Sequence, residues 1–250
     1  MNDIALVAGA GLIGGTMNAI AGGGSFVTLP ALITAGVPAL NANASSAVAL
    51  VPSGLASAYA YRRDFQDFDG VRFRDMALLS VAGGASGALL LEYTPQSVFN
   101  FLVPFLLLFG SLAFAFGRQA GAFLRERIHI TPGMLLVSQF VLGIYGGYFG
   151  GAVGVMMLAA WSLMTSASIA AMQPARNLLN AAMNATATLF FVVGGLVWWR
   201  QTFTLFAGAI TGGYFGAHYA RRIDPARARL VISFLNAGMT VYIFWRTFGR

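Results

Sequence analysis

The sequence has no cysteine and no lysine. Disulfides, thiolate nucleophiles and cysteine metal ligands are therefore excluded. The two histidines, His129 and His218, have no ligand-spaced partner, so no metal site is expected. No HExxH, nucleophile elbow or pair of aspartates within an apolar run occurs, which removes the common membrane-enzyme constellations. Neither an enzymatic activity nor a cofactor is expected. Of eight acids, only Glu92 stands near an apolar run, at its end, so an internal carboxylate for proton relay is also lacking.

What is abundant is apolar surface. The chain is 58% hydrophobic and 9% charged, more than a soluble domain can hide. The runs 76–91, 98–116 and 178–199 approach or reach the roughly 20 residues a helix needs to cross a bilayer. The fold class expected is an all-α polytopic membrane protein. The net charge of +7 comes entirely from arginines placed mostly between apolar runs. That pattern reports orientation and headgroup contact, and nothing resembles a basic groove for nucleic acid. The start, Met1-Asn2-Asp3-Ile4-Ala5, lacks the positive region of a signal peptide, so the first apolar run is read as mature protein.

Apolar runs and their interruptions predict helices at 4–20, 24–36, 43–61, 75–92, 97–117, 132–149, 153–166, 172–195, 202–220 and 227–246. The second and seventh are too short to span. Each follows a glycine break, at Gly22-Gly23-Gly24 and at Gly150-Gly151, so each pair reads as a broken helix or a re-entrant hairpin. Backbone freed from helical pairing at membrane depth persists only where protein buries it or where it lines a polar cavity.

The halves echo each other. Gly83-Gly84-Ala85-Ser86-Gly87-Ala88 returns as Gly212-Gly213-Tyr214-Phe215-Gly216-Ala217, and Thr94-Pro95 as Asp224-Pro225. This predicts two membrane repeats, 1–117 and 132–250, joined by a cytoplasmic linker at 118–131. Each has its broken helix followed by three long spans. Arg62, Arg63, Arg72 and Arg74 crowd one loop of the first repeat, whereas Arg221, Arg222, Arg227 and Arg229 crowd the non-equivalent loop of the second. With arginine-rich loops cytoplasmic, the repeats are inverted and both termini lie outside. Arg246 and Arg250 then fall on the side where arginine is less expected.

Helix N-termini near Gly24-Ser25 and Gly154-Val155 would present unpaired N–H groups and positive dipole ends, which attract an anion without a buried cation. Candidate substrate-binding residues are Asn18, Gly22, Gly23, Gly24 and Ser25 at the first break, and Gly151 and Gly154 at the second. Arg176, Asn177 and Asn180, with Asn184 beyond, lie at spacings that put Arg176, Asn180 and Asn184 on one helical stripe. A guanidinium fork and amides there would suit an oxyanion. Asn41, Asn43, Ser45 and Ser46 are the milder counterparts in the first repeat, Asn43 and Ser46 being the binding candidates among them. Two plainer readings stand beside these: glycines that only allow helices to pack closely, and an Arg176 that snorkels to the headgroups. With the cell interior negative, an anion leaving gains about 2.3 kcal/mol per charge per 100 mV, so uniport export needs no coupled cation.

The residues that carry a family resemblance are Gly11 to Gly15, Ala21-Gly22-Gly23-Gly24-Ser25 through Leu29-Pro30-Ala31-Leu32, Gly36-Val37-Pro38 and Ala42-Asn43-Ala44-Ser45, with Gly83 to Ala88 and Gly212 to Ala217. Together they resemble the TauE/SafE sulfite exporter family over nearly the whole chain. The resemblance implies a multi-pass permease of the cell (plasma or inner) membrane. Its partners would be lipids and a small anion such as sulfite, thiosulfate or an organosulfonate like sulfoacetate. The second repeat departs from the family pattern, with Ala152-Val153-Gly154 and Ala160 where a glycine-rich run and a proline are usual, which leaves the first break as the expected principal binding element. An anion channel and a non-transporting membrane scaffold are the alternatives.

Overall fold

The structure is a computed structural model that describes residues 2–20, 23–61, 71–125, 131–163, 169–220 and 225–249. These residues form ten helices: α1 (Asn2–Ile20), α2 (Ser25–Thr34), α3 (Ala39–Tyr61), α4 (Phe73–Glu92), α5 (Gln96–Arg125), α6 (Pro132–Tyr148), α7 (Val153–Ser162), α8 (Ile169–Val193), α9 (Trp199–Ala220) and α10 (Pro225–Phe248). The all-helical expectation holds. Gly22 and the arginines at 62, 63, 221 and 222 lie outside the described residues.

The helix ends follow local chemistry. Thr131 caps α6 by accepting from the Met134 N–H, with Pro132 at the first helical position. Glycines at positive φ close α2 (Gly36, +86°) and α8 (Gly195, +68°), where a left-handed residue ends a helix at least cost. One boundary differs from expectation. Helix α5 continues past Gly117 to Arg125, so most of the segment expected as a linker from 118 is helical. Its Arg118, Gln119, Ala120, Ala122 and Leu124 are good helix formers, and nothing in the run breaks the helix outright.

The exterior is apolar and the interior holds polar groups. Leu90, Phe101, Phe109, Val137, Val193, Phe203, Phe234 and Trp245 are exposed, whereas Thr28, Asn43, Ser45, Ser46, Gln139 and Asn236 are buried. That inversion of the soluble pattern suits a bilayer as solvent. Buried amides are paired where geometry allows: Trp161 Nε1 donates to Gln139 Oε1 (3.1 Å), and Gln139 Nε2 donates to Ser80 Oγ (2.8 Å). Among the described residues, α4 and residues 96–117 of α5 are long and apolar enough to cross a membrane, with mean hydropathies of 1.2 and 2.1. The asparagines of α8 and the glycines, serines and threonines of α3 and α9 dilute the same signal there.

Small residues decide which helices touch. Along α1 and α9, Gly11 lies against Leu205, Gly15 against Ala209 and Thr16 against Gly216, so these helices run parallel with backbones in contact. Along α4 and α6, Gly83 meets Gly143 and Gly87 meets Ile144 and Tyr148, again parallel. Helices α5 and α10 run antiparallel, with Phe101 against Phe248, Phe105 against Phe244 and Ser111 against Thr240. The start of α3 lies beside the end of α8, where Asn41 Nδ2 donates to the Leu196 carbonyl at 2.9 Å. Exchanging α1–α5 with α6–α10 turns α1·α9 into α6·α4, α4·α8 into α9·α3 and α5·α7 into α10·α2, and all of these pairs pack together.

Candidate functional site

After Ile20 the chain turns back on itself. The position of a Gly14 Cβ would fall beside Gly24, and that of a Gly24 Cβ 3.2 Å from Asn18 Cβ, so α2 returns along α1. Gly23 makes the reversal with φ of +124°, open to glycine and costly for other residues. Helix α2 then starts without a side-chain cap. Its first internal bonds are donated by Phe26 N–H to Gly23 O (3.1 Å) and by Val27 and Thr28 N–H to Gly24 O (3.1 Å each). The Ser25 N–H has no acceptor among the described residues.

The second break is built alike. Gly150 (φ +77°) and Ala152 (φ +59°) turn the chain from α6 into α7. Helix α7 also lacks a side-chain cap, and its first internal bonds come from Val155 and Met156 N–H to Ala152 O at 3.0 and 3.2 Å. The Val153 and Gly154 N–H groups are left without an acceptor among the described residues. Ala152 in the left-handed region carries a steric penalty of about 1 kcal/mol that glycine escapes. Ala152→Gly is accordingly expected to raise stability by about 1 kcal/mol. A melting temperature that falls instead would place the strain elsewhere.

Between these helix starts lies a cavity of about 80 Å³. That is room for several waters or one small anion. Asn18, Gly23 and Ser25 line it from the first break, Asn43 and Ser46 from α3, Gly154 from α7, and Arg176, Asn177 and Asn180 from α8. Nine of the twelve residues singled out in the sequence thus share one cavity. Gly24 sits behind it, packed on Gly14, and Gly151 is turned against the Phe149 ring. Gly22 is not among the described residues. The cavity also takes in Asn184, Phe149 and Gly150, and the apolar Leu50, Val51 and Val155. Asn184 belongs to the same helical stripe as Asn180. Phe149 and Leu50 are ordinary apolar residues with no sequence signal of their own.

Arg176 reaches across the start of α7: its Cδ is 3.3 Å and its Nε 3.6 Å from where a Gly154 Cβ would stand. A side chain at 154 would press on that lane, and the arginine would have to give by a few tenths of an ångström. The guanidinium donates to Asn177 Oδ1 from Nε (3.1 Å) and Nη2 (2.7 Å), which fixes its plane. Asn184 Nδ2 donates to Asn180 Oδ1 (3.0 Å), and Asn43 Nδ2 to the Tyr148 carbonyl (2.9 Å). Thr28 and Ser46 hydroxyls share a bond of 2.6 Å at the cavity floor. Among the described residues no carboxylate lines the cavity. Two helix starts, a guanidinium and a set of amides converge on one space there, and such a field favours negative charge.

An all-helical fold with an apolar exterior and an internal polar cavity is consistent with a helical membrane protein. The chain belongs to the sulfite exporter TauE/SafE family, whose model matches residues 7–243. It is 27% identical over 240 residues to the probable membrane transporter protein YfcA of Escherichia coli K12, covering 96% of this chain and 88% of that protein. It is 29% identical over 240 residues to a probable membrane transporter protein of Haemophilus influenzae, covering 93% and 92%. A third relative, the probable membrane transporter protein ORF9 of Sinorhizobium sp, is 29% identical over 213 residues, covering 84% and 80%. No solved structure matches the chain.

Proposed function

We propose that this protein exports small sulfur-containing anions, such as sulfite, thiosulfate or organosulfonates, across the plasma membrane. The anion sits between the starts of α2 and α7, held by the Ser25, Val153 and Gly154 N–H groups, the Ser25 hydroxyl, Arg176 and the amides of Asn177 and Asn180. Asn18, Asn43 and Ser46 complete the wall. Gly24 and Gly151 act through the backbone shape of the two breaks, and Gly22 remains a candidate by its place in the glycine run of the sequence. The observation that carries this reading is the convergence of Arg176, Asn177, Asn180 and the starts of α2 and α7 on one cavity.

The chain is organised as two repeats of opposite topology, 1–117 and 132–250, with 118–131 between them on the cytoplasmic side. The support is the reversed arginine pattern together with helix directions. Equivalent helices α5 and α10 run antiparallel, and so do α3 and α8. Opposed repeats bring both half-helix starts to one depth, where an anion meets two positive dipole ends. The membrane potential then drives a bound anion outward without a coupled cation.

Sulfite flux from liposomes with an imposed potential tests this reading. Saturable efflux that grows with an inside-negative potential is expected. Flux that ignores the potential and follows a proton gradient would contradict it, and single-channel currents would indicate a pore. Removing one donor weakens binding in proportion: Ser25→Ala is expected to raise the sulfite dissociation constant about tenfold, the worth of one hydrogen bond to a charged group. Sulfite-dependent thermal stabilisation, which follows binding to the native state by mass action, measures it.

A further inference from the structure

Among the described residues, specific hydrogen bonds hold one end of the cavity, and accessibility rises toward the other. Along α3, Ala42, Asn43, Ala44, Ser45, Ser46 and Ala49 are buried, whereas Val51 and Gly54 are partly accessible and Leu55 is 48% exposed. Along the facing stripe of α8 the gradient runs the opposite way in sequence: Arg176, Asn180 and Asn184 are partly accessible, and Ala187 and Phe191 are buried. Because the start of α3 lies beside the end of α8, the two gradients agree. Among the described residues, accessibility is greater toward the end of α3 and the start of α8 than at the opposite end.

Three consecutive polar side chains on alternate positions of α3 hold that opposite end. Asn41 Nδ2 donates to the Leu196 carbonyl (2.9 Å), and Ser45 Oγ accepts from the Trp198 N–H (2.9 Å). Both tie α3 to the turn between α8 and α9. Asn43 Nδ2 donates to the Tyr148 carbonyl (2.9 Å), which ties α3 to the last residue of α6, and the Tyr148 hydroxyl donates on to Thr94 Oγ1 (3.3 Å). Every partner on the far side is backbone, and it belongs to the second half of the chain. The register that pairs Gly24 with Gly154 pairs Asn41, Asn43 and Ser45 with Ala171, Gln173 and Ala175. Two of the three polar groups thus have no counterpart at the more accessible end.

We propose that Asn41, Asn43 and Ser45 form a gate. It seals the non-cytoplasmic end of the cavity in the state described and releases when the bound anion leaves. This rests on the transport reading above, and the arginine pattern assigns the gate its side. The unequal polar sets make the gate the stronger of the two latches, so the cytoplasm-open state is the resting one. Hydrogen bonds to backbone carbonyls and N–H groups are suited to such a device, since each is worth little alone and the three break together.

The absence of native cysteine makes the test direct. In Asn41→Cys with Leu196→Cys, a reversible bifunctional thiol reagent joins α3 to the α8–α9 turn. Before cross-linking this variant is expected to carry sulfite out of liposomes. After cross-linking, flux is expected to fall at least tenfold and to return on reduction, while sulfite still raises the melting temperature because the cytoplasmic end stays open. Undiminished flux in the cross-linked protein would overturn the gate.

A second measurement needs no anion. Spin labels at Pro38→Cys and Trp199→Cys, which flank the clamp, are expected to report two distance populations. A single population under every condition would show a static seal and overturn the proposal. If sulfite stabilises no form of the protein, the anion assignment fails, and the distance measurement alone decides the gate.

Discussion

Arg176→Gln is expected to abolish sulfite-dependent stabilisation and to cut sulfite efflux by a factor of about 10 to 100. The guanidinium is held in plane by Asn177 and laid across the start of α7, its Nε 3.6 Å from the Cβ position of Gly154. A hydrogen bond to a charged group is worth about 1.5–3 kcal/mol, and each 1.4 kcal/mol is a factor of ten in binding. The variant's own stability in the absence of anion is expected to change little, because the loss of the bonds to Asn177 is offset by the relief of desolvating a half-buried cation. That separation matters. A residue that only packs helices would lower the melting temperature and leave the anion-induced shift intact. Arg176→Lys, which keeps the charge and loses the planar fork, is expected to fall between the two. Thermal unfolding with and without sulfite, with chloride as control, resolves all three proteins.

Gly212→Val is expected to prevent folding, with a cost of about 3 kcal/mol or more from overpacking. A Cβ at 212 would be driven into the Leu12 backbone, with the Leu12 Cα at 2.9 Å. Helices α1 and α9 touch backbone to backbone at Gly208, Gly212 and Gly216 on one side and Gly11 and Gly15 on the other, so neither helix can yield without opening the whole seam. Apolar side chains gain little from leaving lipid, so close approach of this kind carries much of the association between membrane helices. Gly238→Ala in α10 is the matched control, since nothing lies within 4 Å of its Cβ position. It is expected to be stabilising by about 1 kcal/mol through helix propensity. The monodisperse fraction on size exclusion after detergent extraction measures both, and normal recovery of Gly212→Val would remove the seam from the account.

The sequence was informative wherever a residue type has a narrow physical use. Glycines in an apolar run mark a break, and Gly23 and Gly150 both take positive φ. Spacings of four put Asn180 and Asn184 on one stripe of α8 with Arg176, Asn177 is its chain neighbour, and all four line the cavity. Periodicity says which face a residue occupies and not which helix it meets. The pairing of α1 with α9 therefore had to come from three dimensions, although the glycine stripes on both were plain. Gly151 illustrates the same limit, since its neighbour's ring claims it and turns it from the cavity. Asn41 and Ser45 read as mild polar counterparts until Leu196 and Trp198, more than a hundred residues away, appeared as their partners.

Selenite, the heavier analogue of sulfite, allows the anion to be located by its anomalous scattering in a crystal of the protein. The account predicts one strong peak in the cavity, within hydrogen-bonding reach of the Ser25 and Gly154 N–H groups and the Arg176 guanidinium, and its loss in Arg176→Gln. A peak elsewhere in the molecule, or one in the cavity that survives the substitution unchanged, would contradict it.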